Sequence, residues 1–127
     1  MWAESLDQAR LEITLGKPNL QKNFAIPKEA IRDIARGYGA CFVTDKIMVE
    51  GRKVGYVYRE TPDNEVDSGW RFMAGDESTE YMDNHLNMGV YDVNTLANYD
   101  PEVIAYLESP AGSAFARLEP DKPFIAL

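Results

Sequence analysis

The 127-residue sequence has very little of the side chains that most often carry nucleophilic or metal chemistry, since it holds one cysteine and one histidine. A lone Cys41 cannot form an internal disulfide, which is typical of a protein kept in a reducing compartment. The sequence also lacks any run of about 18 apolar residues, the length that a membrane span requires. It becomes polar almost at once, unlike a signal peptide. We therefore expect a cytoplasmic protein with no membrane association.

The scarcity of histidine and cysteine argues against covalent catalysis. A nucleophile needs an adjacent base and a third group that orients the base, and His85, the only imidazole, lies in a polar stretch. Cys41 falls in a predicted buried strand, where a thiol behaves as a small inert hydrophobe. Glycine-rich phosphate-binding motifs are absent as well. We predict no catalytic residues and no cofactor, so the protein is expected to act by binding another macromolecule.

Positive charge is nearly absent from the middle of the chain. Residues 60–102 hold 11 acidic side chains and one cation, Arg71, whereas residues 1–59 carry a net charge of +3 and the whole chain −8. Such a surface repels phosphate backbones, so nucleic acid is not expected as a partner. It attracts a basic protein and speeds the encounter. An acidic surface that only keeps the protein soluble explains the charge equally well.

A cluster of acids raises the alternative of a metal site. Oxygen-rich clusters suit hard cations, and five potential ligands fall within ten residues: Asp76, Glu77, Glu80, Asp83 and His85. The run that begins at Asp63 fails the calcium-loop pattern, because Ser68 replaces its glycine and Ala74 its final acid. Paired cysteines for zinc are absent. We predict no metal, and we keep as the alternative an uncharacterised metal- or small-ligand-binding domain, with or without enzymatic activity, centred on residues 76–85.

Residues 1–36 are predicted to form an N-terminal extension with one helix. Pro27 in a first turn, apolar residues on one face and Gly37 just past the end indicate a short amphipathic helix between them. Residues 5–15 fit two interpretations, a helix with a capping pattern at its start or a strand over 11–15.

A β-hairpin is predicted next. Residues 41–49 and 54–58 are rich in β-branched and aromatic residues, and a turn that contains Gly51 separates them. Pro62 then ends the pattern, because proline cannot donate a hydrogen bond to a strand ladder.

Residues 69–74 are predicted to form a third strand, in which Trp70 and Phe72 share one face and Arg71 points to the other. An acidic loop follows and leads into a short helix that ends near Asp83. Acidic groups at the start of that helix interact favourably with the helix dipole.

The last third of the chain is predicted to contain short elements. Residues 90–93 favour a strand, and Asp100 followed by proline is typical of a helix start. Residues 114–118 and 124–127 are candidates for the final strands. We expect one domain over residues 1–127 of the α+β class, a mostly antiparallel sheet with a few short helices packed on one face.

Several stretches together resemble one protein family. They are Gly37-Tyr38-Gly39-Ala40-Cys41, Val54-Gly55-Tyr56-Val57-Tyr58-Arg59-Glu60, Asp67-Ser68-Gly69-Trp70-Arg71-Phe72, Gly75-Asp76-Glu77 with Glu80-Tyr81-Met82-Asp83, Tyr91-Asp92-Val93-Asn94-Thr95-Leu96-Ala97-Asn98-Tyr99-Asp100-Pro101, and Gly112-Ser113-Ala114-Phe115. In order and spacing they are similar to the bacterial immunity protein 33 family. The resemblance covers residues 37–119, the family-like core, and is most specific over 67–83. It implies a cytosolic protein that binds and blocks a toxin encoded beside it, and it transfers no catalytic residues.

The acidic and aromatic side chains of this core form the predicted partner-binding site. Its acids would steer a basic toxin and its exposed tyrosines would anchor the complex, with Trp70 supporting the surface from the core. Arg71 is expected to pair with Asp67 or Asp76 and to hold the loop in shape. The alternative for each tyrosine is a core ring with a hydrogen-bonded tip. The residues predicted to contact the partner are Asp67, Arg71, Asp76, Glu77, Glu80, Tyr81, Asp83, Asn98 and Tyr99.

Overall fold

The computed structural model describes residues 22–127, and a six-stranded sheet runs through them. Its strands are β1 (Ala40–Thr44), β2 (Tyr56–Arg59), β3 (Asp67–Met73), β4 (Met88–Asp92), β5 (Ala114–Ala116) and β6 (Ile125–Ala126). Their spatial order is β4-β1-β3-β2-β5-β6. The central pair β1 and β3 runs parallel, and the other neighbouring pairs are antiparallel. The predicted α+β class with a mostly antiparallel sheet is confirmed.

The helices of the described chain are all short. The α-helices are α1 (Asp45–Met48), α2 (Thr79–Asp83) and α3 (Val93–Tyr99), and 3₁₀ helices span Lys28–Ala30, His85–Asn87 and Pro101–Tyr106. Within residues 22–127 no helix has the length and apolar content needed to cross a membrane.

One face of the sheet carries the main core. Its strand residues alternate with those of the opposite face, as the pleat requires, and include Cys41, Val43, Val57, Trp70 and Phe72. The helices α1, α3 and Pro101–Tyr106 cover this face with Ile47, Met48, Val93, Leu96, Ala97 and Val103. Both Trp70 and Phe72 are 1% exposed, and their rings stack with centroids 6.0 Å apart. The predicted third strand and the core position of Trp70 are confirmed.

The opposite face of the sheet carries a smaller cluster. Phe42 and Met73 pack there against Met82 of α2 and Met88. The guanidinium carbon of Arg71 lies 4.5 Å from the centre of the Phe42 ring, so Arg71 does point away from Trp70 and Phe72. Helix α2 is therefore the one α-helix of the described chain that packs on this face.

The predicted hairpin of residues 41–49 and 54–58 is wrong. After β1 the chain enters α1, which buries Ile47 and Met48 against the main core, and β1 pairs with β3 and β4 rather than with β2. A short apolar run fits a buried helix as well as a strand, and periodicity alone does not separate the two.

The predicted amphipathic helix between Pro27 and Gly37 is also wrong. Only Lys28–Ala30 is helical, and no residue of that turn is buried. The backbone N–H groups of Arg32, Ile34 and Ala35 bind side chains of α3 instead of carbonyls of their own segment. We call residues 22–36 the N-terminal strap. The predictions for residues 5–15 lie outside the described residues.

Two short helices begin where the sequence predicted a helix. Ser78 Oγ accepts a hydrogen bond from Tyr81 N–H at 3.0 Å and caps α2 in the acidic segment where a helix was expected. Asp100 caps Pro101–Tyr106 as predicted. Short polar side chains at such positions satisfy N–H groups that have no partner inside the helix.

Candidate partner-binding site

The nine predicted contact residues do not form one surface. The structure divides them into three groups: Asp67 and Arg71 in β3, the segment from Asp76 to Asp83 around α2, and Asn98 and Tyr99 at the end of α3. Helix α2 packs on one face of the sheet and α3 on the other, so the groups have different neighbours.

Arg71 is the centre of a buried ion cluster. Its side chain is 1% exposed, and its Nη1 and Nη2 donate to Asp67 Oδ1 and Oδ2 at 2.9 and 3.0 Å. Its Nε donates to Glu60 Oε2 at 2.7 Å. The expected pairing with Asp67 is present, and Asp76 is not a partner. Because a two-pronged arginine–carboxylate contact fixes geometry as well as charge, this group holds the end of β2 against the start of β3.

The lowered pKa of Asp67 reflects how strongly its neighbours favour the ionised carboxylate. Burial acts to raise it, but the Arg71 guanidinium and the backbone N–H groups of Asp63 and Gly69 outweigh burial and lower the pKa to about 2. Asp67 is therefore a structural carboxylate that closes the β2–β3 loop.

The carboxylates of Asp76 and Glu77 form ion pairs and hydrogen bonds with other described residues. Asp76 pairs with Arg52 at 2.7 Å and with Lys46 at 3.1 Å, and the Arg52 hydrogen bond is the main reason that its pKa is lowered. Glu77 accepts hydrogen bonds from Thr44 Oγ1 at 2.6 Å and from the N–H groups of Ala74 and Gly75 at 2.7 and 2.8 Å. Cations from the first half of the chain thus neutralise part of the acidic middle third.

The exposed side chains around α2 form a smaller acidic surface. Glu80 and Asp83 are exposed, Tyr81 between them is half-buried, and Leu86 on the following 3₁₀ helix is 62% exposed. The Tyr81 hydroxyl donates to Asn87 O at 3.3 Å, and burial raises the pKa of that hydroxyl. We call Glu80, Tyr81, Asp83 and Leu86 the α2 face. It combines negative charge, an aromatic edge and an exposed apolar side chain.

Asn98 and Tyr99 bind the N-terminal strap. Tyr99 is 5% exposed, and its hydroxyl accepts from Ile26 N–H at 3.1 Å and donates to Ile26 O at 3.3 Å. The prediction of an exposed anchor at Tyr99 is wrong, because the ring is part of the main core. Asn98 accepts from Arg32 N–H and donates to Arg32 O, both at 2.9 Å.

Asn94 belongs to this group and was missed. Its Oδ1 accepts from the N–H groups of Ile34 and Ala35 at 2.7 and 2.8 Å, and its Nδ2 donates to Arg32 O at 2.8 Å. The sequence did carry a signal. Asp92 accepts a hydrogen bond from Asn94 N–H as the cap of α3, and an Asp two residues before Asn94 is a typical helix start, which places residues 94 and 98 on one face.

The structure also forms a cleft of about 680 Å³ at the start of β2, lined by residues that include Arg52, Lys53, Gly55, Asp76, Arg117 and Leu118. Its cations are engaged: Lys53 Nζ donates to Tyr99 O at 3.0 Å, and the buried Arg117 pairs with Asp100 and Glu102. Across residues 22–127, no three histidine, cysteine, aspartate or glutamate side chains converge as metal ligands.

Comparison with known proteins gives one result. The family model described as Immunity protein Imm33 domain matches residues 41–127. No curated protein and no solved structure matches the chain. The matched range contains the whole sheet except Ala40, together with α2 and α3, and it leaves the strap outside. The match covers more than half of the sequence, and the chain therefore belongs to the Imm33 immunity protein domain family.

Proposed function

We propose that this protein is a cytoplasmic immunity protein that binds a partner toxin and neutralises it by occupying its surface, without catalysing a reaction. Membership of the immunity family over residues 41–127 carries this proposal. The excess of acidic side chains between residues 60 and 102 supports a basic partner.

The α2 face is the part of the predicted site that suits such a partner. Glu80 and Asp83 are exposed and flank a half-buried tyrosine. Tyrosine is enriched at the centres of interfaces, where it supplies contact area at little entropic cost. Asp67, Asp76 and Glu77 each bind groups of their own chain and so stabilise the fold. An interface of standard size buries about 800 Å² on each partner, so the α2 face would be its centre and not its whole extent.

Affinity capture of the full-length tagged protein from its native cells tests the function. With the toxin expressed, mass spectrometry of the eluate at moderate salt should recover one toxin-like protein in amounts comparable to the bait. Recovery of the bait alone from cells that express the toxin would refute the immunity function.

Charge reversal tests the surface. The double variant Glu80→Lys and Asp83→Lys should slow association with the captured toxin by on the order of tenfold and should flatten the dependence of affinity on salt. Glu119→Lys with Asp121→Lys is the matched control, because it changes net charge equally at two exposed positions near the opposite edge of the sheet. If both double variants slowed association with the toxin equally, the partner-binding site would not lie on α2, and the effect would come from net charge alone.

A further inference from the structure

The two edges of the sheet differ in what lies beside them. The strap borders β4, since Lys22 Nζ donates to Met88 O at 3.1 Å and the Phe24 ring packs edge-on against Tyr91 with centroids 5.7 Å apart. At the other edge, β6 has β5 on one side and no further strand of residues 22–127 on the other. An open edge strand is a template for pairing with another chain.

The main chain of β6 directs one residue away from the sheet. Leu127 N–H donates to Ala114 O at 2.9 Å, and Ala126 lies opposite Phe115. Along an antiparallel ladder, pairs that exchange hydrogen bonds alternate with pairs that do not. Ile125 and Leu127 therefore bond towards β5, whereas Ala126 directs its N–H and its C=O outward.

The side chains beside this edge are apolar and exposed. Ile125 is 63% exposed and Leu127 75%. Leu118, which follows two residues after Ala116, the partner of Ile125 on β5, is 97% exposed. Exposed apolar side chains that cluster at one place mark an interaction surface.

The charge of this edge also differs from the rest of the chain. Residues 114–127 hold two cations and two acids, a net charge of zero, whereas residues 60–102 hold 11 acids and one cation. A basic partner is drawn to an excess of acids, which this segment lacks. Two copies of a chain with a net charge of −8 repel each other, and they approach at the lowest electrostatic cost where the surface is neutral.

We propose that β6 is a contact between two copies of this chain, which pair antiparallel across a two-fold axis through Ala126. In this register the outward N–H and C=O of Ala126 bond to the partner's Ala126, and the two sheets continue into one another. Ile125 then lies opposite the partner's Leu127, so the exposed apolar side chains cover each other. This inference is independent of the proposed function. Helix α2 packs over β1, β3 and β4, so the α2 face of each copy stays exposed.

Sedimentation equilibrium of the full-length protein tests the contact. One pair of main-chain hydrogen bonds and three apolar side chains make an interface below standard size, so we expect a dissociation constant of about 10 to 100 µM. The average mass should rise from that of one chain towards twice that value between about 5 and 500 µM protein. A mass that stays at one chain over this range would overturn the proposal.

Two variants place the contact on β6. Ile125→Lys should weaken dimerisation at least about tenfold, although it lowers the net negative charge, because a lysine on an edge strand opposes pairing. Val66→Lys is the matched control, since Val66 is 64% exposed, lies in the β2–β3 loop and takes the same charge change. Ala126→Pro removes the outward N–H, which proline lacks and an edge strand tolerates, and should also weaken dimerisation at least about tenfold. Dimerisation of both β6 variants at the wild-type level, or an equal loss in Val66→Lys, would overturn the site.

A cysteine at the axis tests the register. Residues in a hydrogen-bonded antiparallel pair have Cα atoms about 5.5 Å apart, within the range that a disulfide spans. Full-length Ala126→Cys should therefore form a disulfide between two copies under mild oxidation, and Val66→Cys should form far less. The native Cys41 is buried and does not compete. Equal yields for the two variants would overturn the two-fold axis through Ala126.

Discussion

Replacing Asp67 by asparagine removes one of the two carboxylates that face the buried guanidinium of Arg71. The substitution keeps the size of the side chain and abolishes its charge. It leaves Arg71 with Glu60 as its remaining carboxylate partner among the described residues. Because Asp67 is only 9% exposed in its side chain, solvent screens the lost interaction weakly.

The size of the effect follows from the pKa. Lowering the pKa of Asp67 from 3.8 to about 2 corresponds to about 2.5 kcal/mol of native-state stabilisation at neutral pH, since each pKa unit is worth about 1.4 kcal/mol. The folded-state pKa is the lower one, so this contribution is complete above about pH 5 and is lost as the pH falls towards 2. About half of it is gone at pH 3.

Urea unfolding of the wild type and of Asp67→Asn at pH 7 and pH 3 measures this stabilisation. We expect Asp67→Asn to be less stable than wild type by about 2.5 kcal/mol at pH 7, and the gap to narrow by about 1 kcal/mol at pH 3. Glu65→Gln, an exposed acid of the same loop, is the control and should change stability by less than about 0.5 kcal/mol. A gap of the same size at both pH values would refute the assignment of the stabilisation to the Asp67 charge.

Two further predictions concern the core. An alanine Cβ at Gly55 would lie 1.9 Å from the backbone oxygen of Ala74, so Gly55→Ala should lower the free energy of unfolding by about 3 kcal/mol. The added Cβ of Gly112→Ala meets no atom within 4 Å, so this variant carries only left-handed backbone strain of about 1 kcal/mol. A melting temperature of Gly112→Ala below that of Gly55→Ala would contradict the close contact at Gly55. Burial raises the pKa of the Cys41 thiol, so a thiol reagent at pH 8 should label the protein only in denaturing urea; labelling of the native protein at the rate of a free thiol would contradict its burial.

Strand β3 could be predicted from the sequence because its two faces differ. Trp70 and Phe72 belong to the main core and Arg71 to the opposite side, so the alternation along the chain matches the alternation of the pleat. The hairpin prediction was wrong because its first segment has no such regular alternation. Residues 41–43 and 47–49 are apolar and 44–46 are polar, so the segment follows no single period, and only the packing of Ile47 and Met48 shows that it ends in a helix.

The sequence could not show which of the predicted site residues bind distant groups of their own chain. Glu77 looked like surface charge, but its partner Thr44 is 33 residues away in sequence. Asn98 was predicted to contact the partner, and its hydrogen bonds to Arg32 span 66 residues. Local patterns do not contain such information, whereas the exposure of Glu80 and Asp83 agrees with their charged sequence context.

The attachment of the strap to α3 also has a consequence for the order of events during synthesis. Its hydrogen bonds join residues that are 59 to 73 positions apart, and the strap is made first. At roughly 5 to 20 residues per second, the ribosome needs about 3 to 15 s to add the intervening chain. During that time the strap has no α3 to bind. Its docking is therefore a late step in the folding of each new molecule, however stable the finished contact is.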